Sequence, residues 1–326
     1  MFSCNFKKLP SLLIFMLTIG LFACDTNTQP NTKRLQGSIK LELTDAPIDD
    51  PTIQAFFVTI KEIHINGEPW EAFQSKKTVD LLSLQNGLTE VLATGELDAG
   101  TYSRVELVLD HESDEDGQTP GTYILNNADT KLRISPEAQT IVPATQNFEC
   151  IENSTTAVVY DLDLRKLLTY DPETSSGYAF VTDFELEKVG RVIEKDLSGS
   201  ISGKVTMNIP TYQDYIVFAY PENGFDPKNA FEGKGPSLIR FAEAITSSGI
   251  DENGNYHLSF LPVGTYEIVL AAYKDVDVDG RLDPVGHAKT NNQDESSSSI
   301  VTLQKGEEKK YDISSNEIIK FEEKRQ

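Results

Sequence analysis

Alternation of apolar and polar residues recurs along this chain and limits its fold more than any other feature. Ser38 to Leu43 alternates. In Phe56 to Ile65, Phe57, Thr59 and Lys61 oppose Val58, Ile60 and Glu62, and Ser103 to Leu109 puts Val105, Leu107 and Leu109 on one face. Successive side chains of an extended strand leave on opposite faces, so period two marks half-buried β-strands. Asn66-Gly67, Asn86-Gly87, Asn223-Gly224 and Asn253-Gly254 lie between such runs, and these dipeptides tolerate the positive φ of tight turns. Helical signals are confined to Ser237 to Ala244 and Leu88 to Leu92. The expected class is mainly β.

Near Glu194 to Ser200 the strand-like pattern gives way to charged and Gly/Ser residues, and Ile201 to Val205 then starts a new alternation. A domain boundary is expected there. An internal echo supports two similar architectures: Leu97-Asp98-Ala99-Gly100-Thr101-Tyr102 opens one strand and Leu261-Pro262-Val263-Gly264-Thr265-Tyr266 opens another. Glycine permits the tight bend, and the tyrosine ring can cover the edge of a sandwich.

The first residues have the layout of a signal peptide: Lys7 and Lys8 precede the apolar run Leu9 to Phe22. That run is shorter than the roughly 20 residues a membrane-spanning helix needs. It ends in Leu21-Phe22-Ala23-Cys24, which resembles the bacterial lipobox, and the resemblance implies cleavage before Cys24 and acylation of its thiol. Residues 1–23 are thus expected to be the lipoprotein signal peptide. Residues 24–34 are small and polar around Pro30 and read as a flexible tether.

The chain carries 29 basic and 51 acidic residues, a formal net charge of −22, and the leader removes two of the lysines. Such a charge repels phosphate backbones and disfavours nucleic acid, leaving cations, neutral glycans and basic protein surfaces as partners. With Cys4 in the leader and Cys24 acylated, Cys150 is the remaining thiol, so no intramolecular disulfide is expected. Cys150 itself reads as a half-buried inert thiol.

Four motifs, Leu43-Thr44-Asp45-Ala46-Pro47, Val79-Asp80-Leu81-Leu82, Ala99-Gly100-Thr101-Tyr102 and Tyr160-Asp161-Leu162-Asp163-Leu164-Arg165-Lys166, follow in an order that resembles the bacterial family called domain of unknown function 4382, over residues 35–193. The resemblance implies an exported or lipid-anchored envelope protein and no particular activity. Residues 198–322 look like a transthyretin-like or carboxypeptidase-regulatory-like β-sandwich, on the strength of Gly203-Lys204-Val205, Asp251 to Tyr256 and Leu261 to Tyr266. The fold expected is therefore mainly β, with two β-sandwich domains of immunoglobulin/transthyretin-like type after a signal peptide and short tether.

Asp275-Val276-Asp277-Val278-Asp279-Gly280-Arg281-Leu282-Asp283 is the sharpest local feature. Alternating carboxylates can converge on one hard cation where a glycine lets the backbone turn. The candidate is a Ca²⁺ loop with Asp275, Asp277, Asp279 and Asp283 as ligands and the Arg281 carbonyl added. The competing reading is a solvated hairpin tip whose aspartates cap their own turn amides. Gly286 stands where an EF-hand has its bidentate glutamate. Glu112 to Gly117 is a second acidic stretch, read as a solvated loop because adjacent charges splay. Trp70 reads as a core residue rather than an exposed sugar platform.

No catalytic constellation is evident. His64, His111, His257 and His287 are widely separated, and no G-x-S-x-G elbow or phosphate-cradling loop occurs. The sequence thus points to a lipid-anchored cell-envelope protein with a non-catalytic binding or scaffolding role and an undefined protein or glycan partner, the outer membrane being favoured over the inner. The alternatives are a calcium-dependent glycan- or protein-binding adhesion module and an envelope hydrolase with a loop-built site.

Overall fold

The alternation expected of residues 38–43 appears as the strand Gln36–Thr44, which buries Ile39, Leu41 and Leu43. The computed structural model describes residues 34–45, 53–134, 140–207, 212–288 and 299–321. The leader and Cys24 lie outside them, as do Ala46 and Pro47. The chain is mainly β, and Leu35–Gln326 packs as one unit.

Four larger sheets build it. In the first, Gly190–Glu194, Thr155–Leu162, Gln36–Thr44 and Glu90–Asp98 are neighbours in that order, with the middle pair parallel. The second runs Ile141–Ala144, Val105–Asp110, Ile53–Ile65, Tyr123–Asn126, Lys131–Arg133. These two sheets enclose one core containing Ile39, Leu41, Phe56, Val58, Leu107 and Tyr160. Trp70 is buried in the same core, 5% exposed. The third sheet centres on Gly199–Met207 beside Asn255–Leu261, and the fourth on Asp214–Pro221 beside Gly264–Lys274. They enclose a second core with Ile201, Val217, Leu258 and Leu270. Among the described residues no sheet includes strands from both sides of Ser198.

Strand Ile53–Ile65 departs from simple alternation. Its pairing with Val105–Asp110 shifts register between Ile60 and Glu62. One extra residue reverses which parity faces inward, so Val58 and Ile60 are buried before the shift and Ile63 and Ile65 after it.

Both expected helical stretches are overturned. Residues 88–92 lead into strand Glu90–Asp98, whose pairing with Gln36–Thr44 outweighs local propensity. Residues 237–244 form successive turns, with Lys234 and Ile239 joined by a β-bridge. Leu238 and Phe241 have φ of 49° and 52°, outside the right-handed helix. Phe241 is instead drawn into a face-to-face stack on Phe218, 4.2 Å between ring centres.

The internal echo is a shared device. Tyr102 donates its hydroxyl to the Asp98 carbonyl at 2.8 Å, and Tyr266 donates to the Pro262 carbonyl. Each hydroxyl thus reaches back four residues to pin the turn that begins its strand. Tyr102→Phe and Tyr266→Phe are each expected to lower the unfolding free energy by about 1 kcal/mol, read as a shifted urea midpoint with an unchanged slope.

Candidate functional site

The Tyr160 to Lys166 motif runs along the seam between the two pairs of sheets. Asp45 Oδ1 accepts the Leu164 amide at 2.9 Å and so fixes the start of the short helix Leu164–Leu167. Asp163 pairs with Arg165 at 2.6 Å and Lys166 at 3.4 Å, and all three side chains are largely buried. Lys166 Nζ then donates to the Ala244 carbonyl at 2.7 Å across the seam. Burial pulls the pKa of this ammonium down, and Asp163 opposes the fall. Arg191 bridges in the same way, from Asp161 to the Phe260 carbonyl, the latter at 2.5 Å. Arg165 lies over the Phe218 ring, 5.1 Å from its centre.

Further polar contacts stitch the seam. Ser237 donates its amide and hydroxyl to Glu185, at 3.1 and 2.5 Å. Burial raises the Glu185 pKa, but hydrogen bonds from Ser237 and Thr182 outweigh it and leave the carboxyl below its usual range. The Asn86-Gly87 turn, with φ of 59° and 84°, carries Asn86 to Ser248 and His257 at 3.1 Å each.

Beside this seam lies an open groove of about 930 Å³. One wall is the hairpin of Leu168–Tyr170 and Tyr178–Phe180, and the other is the stretch from Phe231 to Phe241. Thr169 Oγ1 donates to the Ser237 carbonyl at 3.0 Å and joins the walls at one point. Tyr170 is 44% exposed and meets Tyr178 edge-on. The Arg281 guanidinium reaches over Tyr170 from the second pair of sheets, 3.3 Å from the ring centre. Arg240 pairs with Asp283 at 3.0 Å within the groove.

The aspartate loop connects Gly264–Lys274 to Asp283–Ala288 and is contiguous with the groove through Arg281. Asp275, Asp277 and Asp279 each bring one carboxylate oxygen within 4.8 Å of the others. Asp283 is not part of that cluster; it opens a strand and is engaged by Arg240. Asp275 accepts the Gly280 amide at 3.2 Å, and Asp279 accepts the Arg281 amide at 2.9 Å. That is the turn-capping arrangement. The Arg281 side chain also binds Asp279, through Nε at 3.0 Å. The Arg281 amide, opposed by slight desolvation and helped by the guanidinium, holds the Asp279 carboxyl below its ordinary pKa.

The Glu112 to Gly117 stretch is more ordered than its adjacent charges suggest. Asp114 is buried, 7% exposed, and accepts the Asp116 and Gln118 amides at 3.1 and 2.7 Å. Cys150 is fully buried rather than half-buried, and burial pushes its thiol pKa up. His111 is buried against Thr140 at 2.9 Å, and burial pulls its pKa down to about 4. The unfolded chain therefore binds a proton more tightly than the folded one. Stability should be full above about pH 6.5, the ordinary histidine value. It should fall as pH drops toward 4, with a shallower fall over that window in His111→Gln, measured by urea titration at stepped pH.

The groove and the seam escape sequence reading because both depend on residues more than 40 positions apart. The Asp163-Leu164-Arg165-Lys166 run, mixing both charge signs among leucines, was the one local signal.

Residues 36–182 match the family described as Domain of unknown function (DUF4382). No curated protein matches the chain. Among solved structures, a candidate carbohydrate binding protein of Pseudomonas aeruginosa aligns at 16% identity over 37% of this chain and 90% of its own, with a TM-score of 0.23. A leucine-rich repeat protein of Bacteroides thetaiotaomicron aligns at 12% identity over 87% of this chain, with a TM-score of 0.21, and this chain spans only 26% of it. The major pilin subunit of Bacillus cereus, BcpA, aligns at 12% identity over 86% of this chain and 70% of its own, with a TM-score of 0.21.

Proposed function

We propose that the protein is a lipid-anchored envelope protein that binds a ligand in the groove beside its seam, without catalysing a reaction. The groove carries this reading: about 930 Å³ is within the range of small-molecule clefts. Its walls come from both halves of the chain, and charged side chains of the seam lie beside it. The leader and Cys24 supply the envelope setting, with the outer membrane favoured. In this reading the first pair of sheets, residues 35–193, is the family domain and residues 198–322 are a transthyretin-like sandwich. The seam then makes the two sandwiches a single binding body.

Two measurements test it. Cys24→Ser should abolish acylation and release the chain from the membrane fraction; unchanged membrane association would remove the anchor from the proposal. Hydrogen exchange of the full chain, recorded with glycan and protein fractions of the envelope added separately, should slow at residues 164–171 and 231–241. If neither fraction protects these segments, the groove is not the binding surface.

The aspartate loop supports a second reading, in which Ca²⁺ held by Asp275, Asp277 and Asp279 makes binding calcium-dependent. The convergence of the three carboxylates favours it. Arg281 is the competing cation, since it occupies Asp279. Calorimetry of the full chain with Ca²⁺ should then show heat that Asp277→Ala removes, and no heat would end this reading.

A further inference from the structure

We infer that the groove takes a neutral oligosaccharide, an inference that rests on the groove being the binding surface. Charge is the first argument. The chain is strongly acidic, with a net charge of −22, yet Arg165, Arg240 and Arg281 line the groove together with Asp171, Glu232 and Asp283. The groove is thus locally balanced on a surface that is otherwise acidic.

All three arginines are already engaged, Arg165 with Asp163 at 2.6 Å, Arg240 with Asp283 at 3.0 Å and Arg281 with Asp279 at 2.9 Å. A polyanion would have to draw an arginine from its carboxylate, and a polycation would have to draw the carboxylate away. Either trades one partly exposed ion pair for another, with no net gain in pairing. A sugar hydroxyl makes no such demand, because it donates and accepts at once. It can take a guanidinium N–H that the pair leaves unused and give its proton to a carboxylate oxygen of the same pair, so the pair stays intact. The Arg240 and Asp283 side chains are 40% and 30% exposed, which leaves such positions accessible.

Apolar surface is the second argument. Tyr170 is 44% exposed, with the Arg281 guanidinium covering one face of its ring and Tyr178 meeting it edge-on, so its other face is the surface it offers, and Leu238 beside the groove is 66% exposed. A pyranose ring carries C–H groups that pack on such surface while its hydroxyls face the charged pairs. The groove is open to solvent and about 930 Å³ in volume, which fits several linked sugars better than one enclosed sugar.

Titration calorimetry of the full chain with linear neutral hexasaccharides of glucose, xylose and mannose, beside hexagalacturonate as the acidic counterpart, tests the inference. At least one neutral hexasaccharide should bind. Tyr170→Ala and Arg240→Ala should each weaken it tenfold or more while the variants still unfold cooperatively, whereas Tyr170→Phe, which keeps the ring, should stay within about twofold. Tighter binding of hexagalacturonate than of every neutral chain overturns the inference. So does binding that Tyr170→Ala and Arg240→Ala leave unaltered, or binding of none of the neutral hexasaccharides. Protection of the groove in hydrogen exchange by the protein fraction alone would also overturn it while leaving the groove as a binding surface. Should Tyr170→Ala fail to fold, Leu238→Arg, at an exposed position, provides the same comparison.

Discussion

Arg191→Ala should lower the unfolding free energy of the full chain by about 3–5 kcal/mol, the range seen when one partner of a buried ion pair is removed. Asp161 is left in the seam with its side chain 5% exposed and its cation gone, and the Phe260 carbonyl loses a donor at 2.5 Å. Urea denaturation followed by tyrosine fluorescence would report it as a lower midpoint. Asp161→Leu combined with Arg191→Met should recover much of the loss, because it removes both charges and their desolvation together. A double variant as unstable as the single one would mean that Arg191 acts through packing alone.

A chain ending at Thr182, where the family match stops, should fail to fold cooperatively. Strand Gly190–Glu194 lies beyond that point and pairs with Thr155–Leu162 along five residues, Val158 to Leu162. Its loss exposes the backbone edge of Thr155–Leu162, an invitation to aggregation, and removes Val189 and Val192 from the core. It also deletes Ala244 and Phe218, which Lys166 and Arg165 meet across the seam. A sharp urea transition and dispersed amide resonances from the shortened chain would show that the matched segment is self-sufficient.

Much of the fold was legible because it follows from local rules. Ile39, Leu41 and Leu43 announce a strand by parity alone, Asn66-Gly67 and Asn86-Gly87 announce turns by their tolerance of positive φ, and Thr-Tyr after glycine marks both tyrosine corners. Residues 237–244 misled because Phe241 answers to Phe218, a residue in another strand, and no local propensity encodes that stack. Lys61 hid a bulge for a similar reason: its position is set by the pairing partner, Val105–Asp110. At the site, the aspartate spacing foretold the convergence of Asp275, Asp277 and Asp279. Asp283 was beyond reach of the same reasoning, since its partner Arg240 is 43 residues away. The groove itself is made by the meeting of two independently patterned halves, so it is a property of their docking and not of either pattern.

Strand Gln36–Thr44 begins beside Leu35 and ends beside Asp45, whose carboxylate holds the start of the helix that lines the groove. At about 3.3 Å per residue, the two ends are about 30 Å apart. If the chain is tethered at its amino end and loaded by a ligand in the groove, tension runs lengthwise through this strand. It is flanked on both sides, by Thr155–Leu162 and by Glu90–Asp98, with ladder bonds that cross the direction of pull. Those bonds must slide and break together instead of opening one after another. Under such a load the central strand acts as a shear clamp.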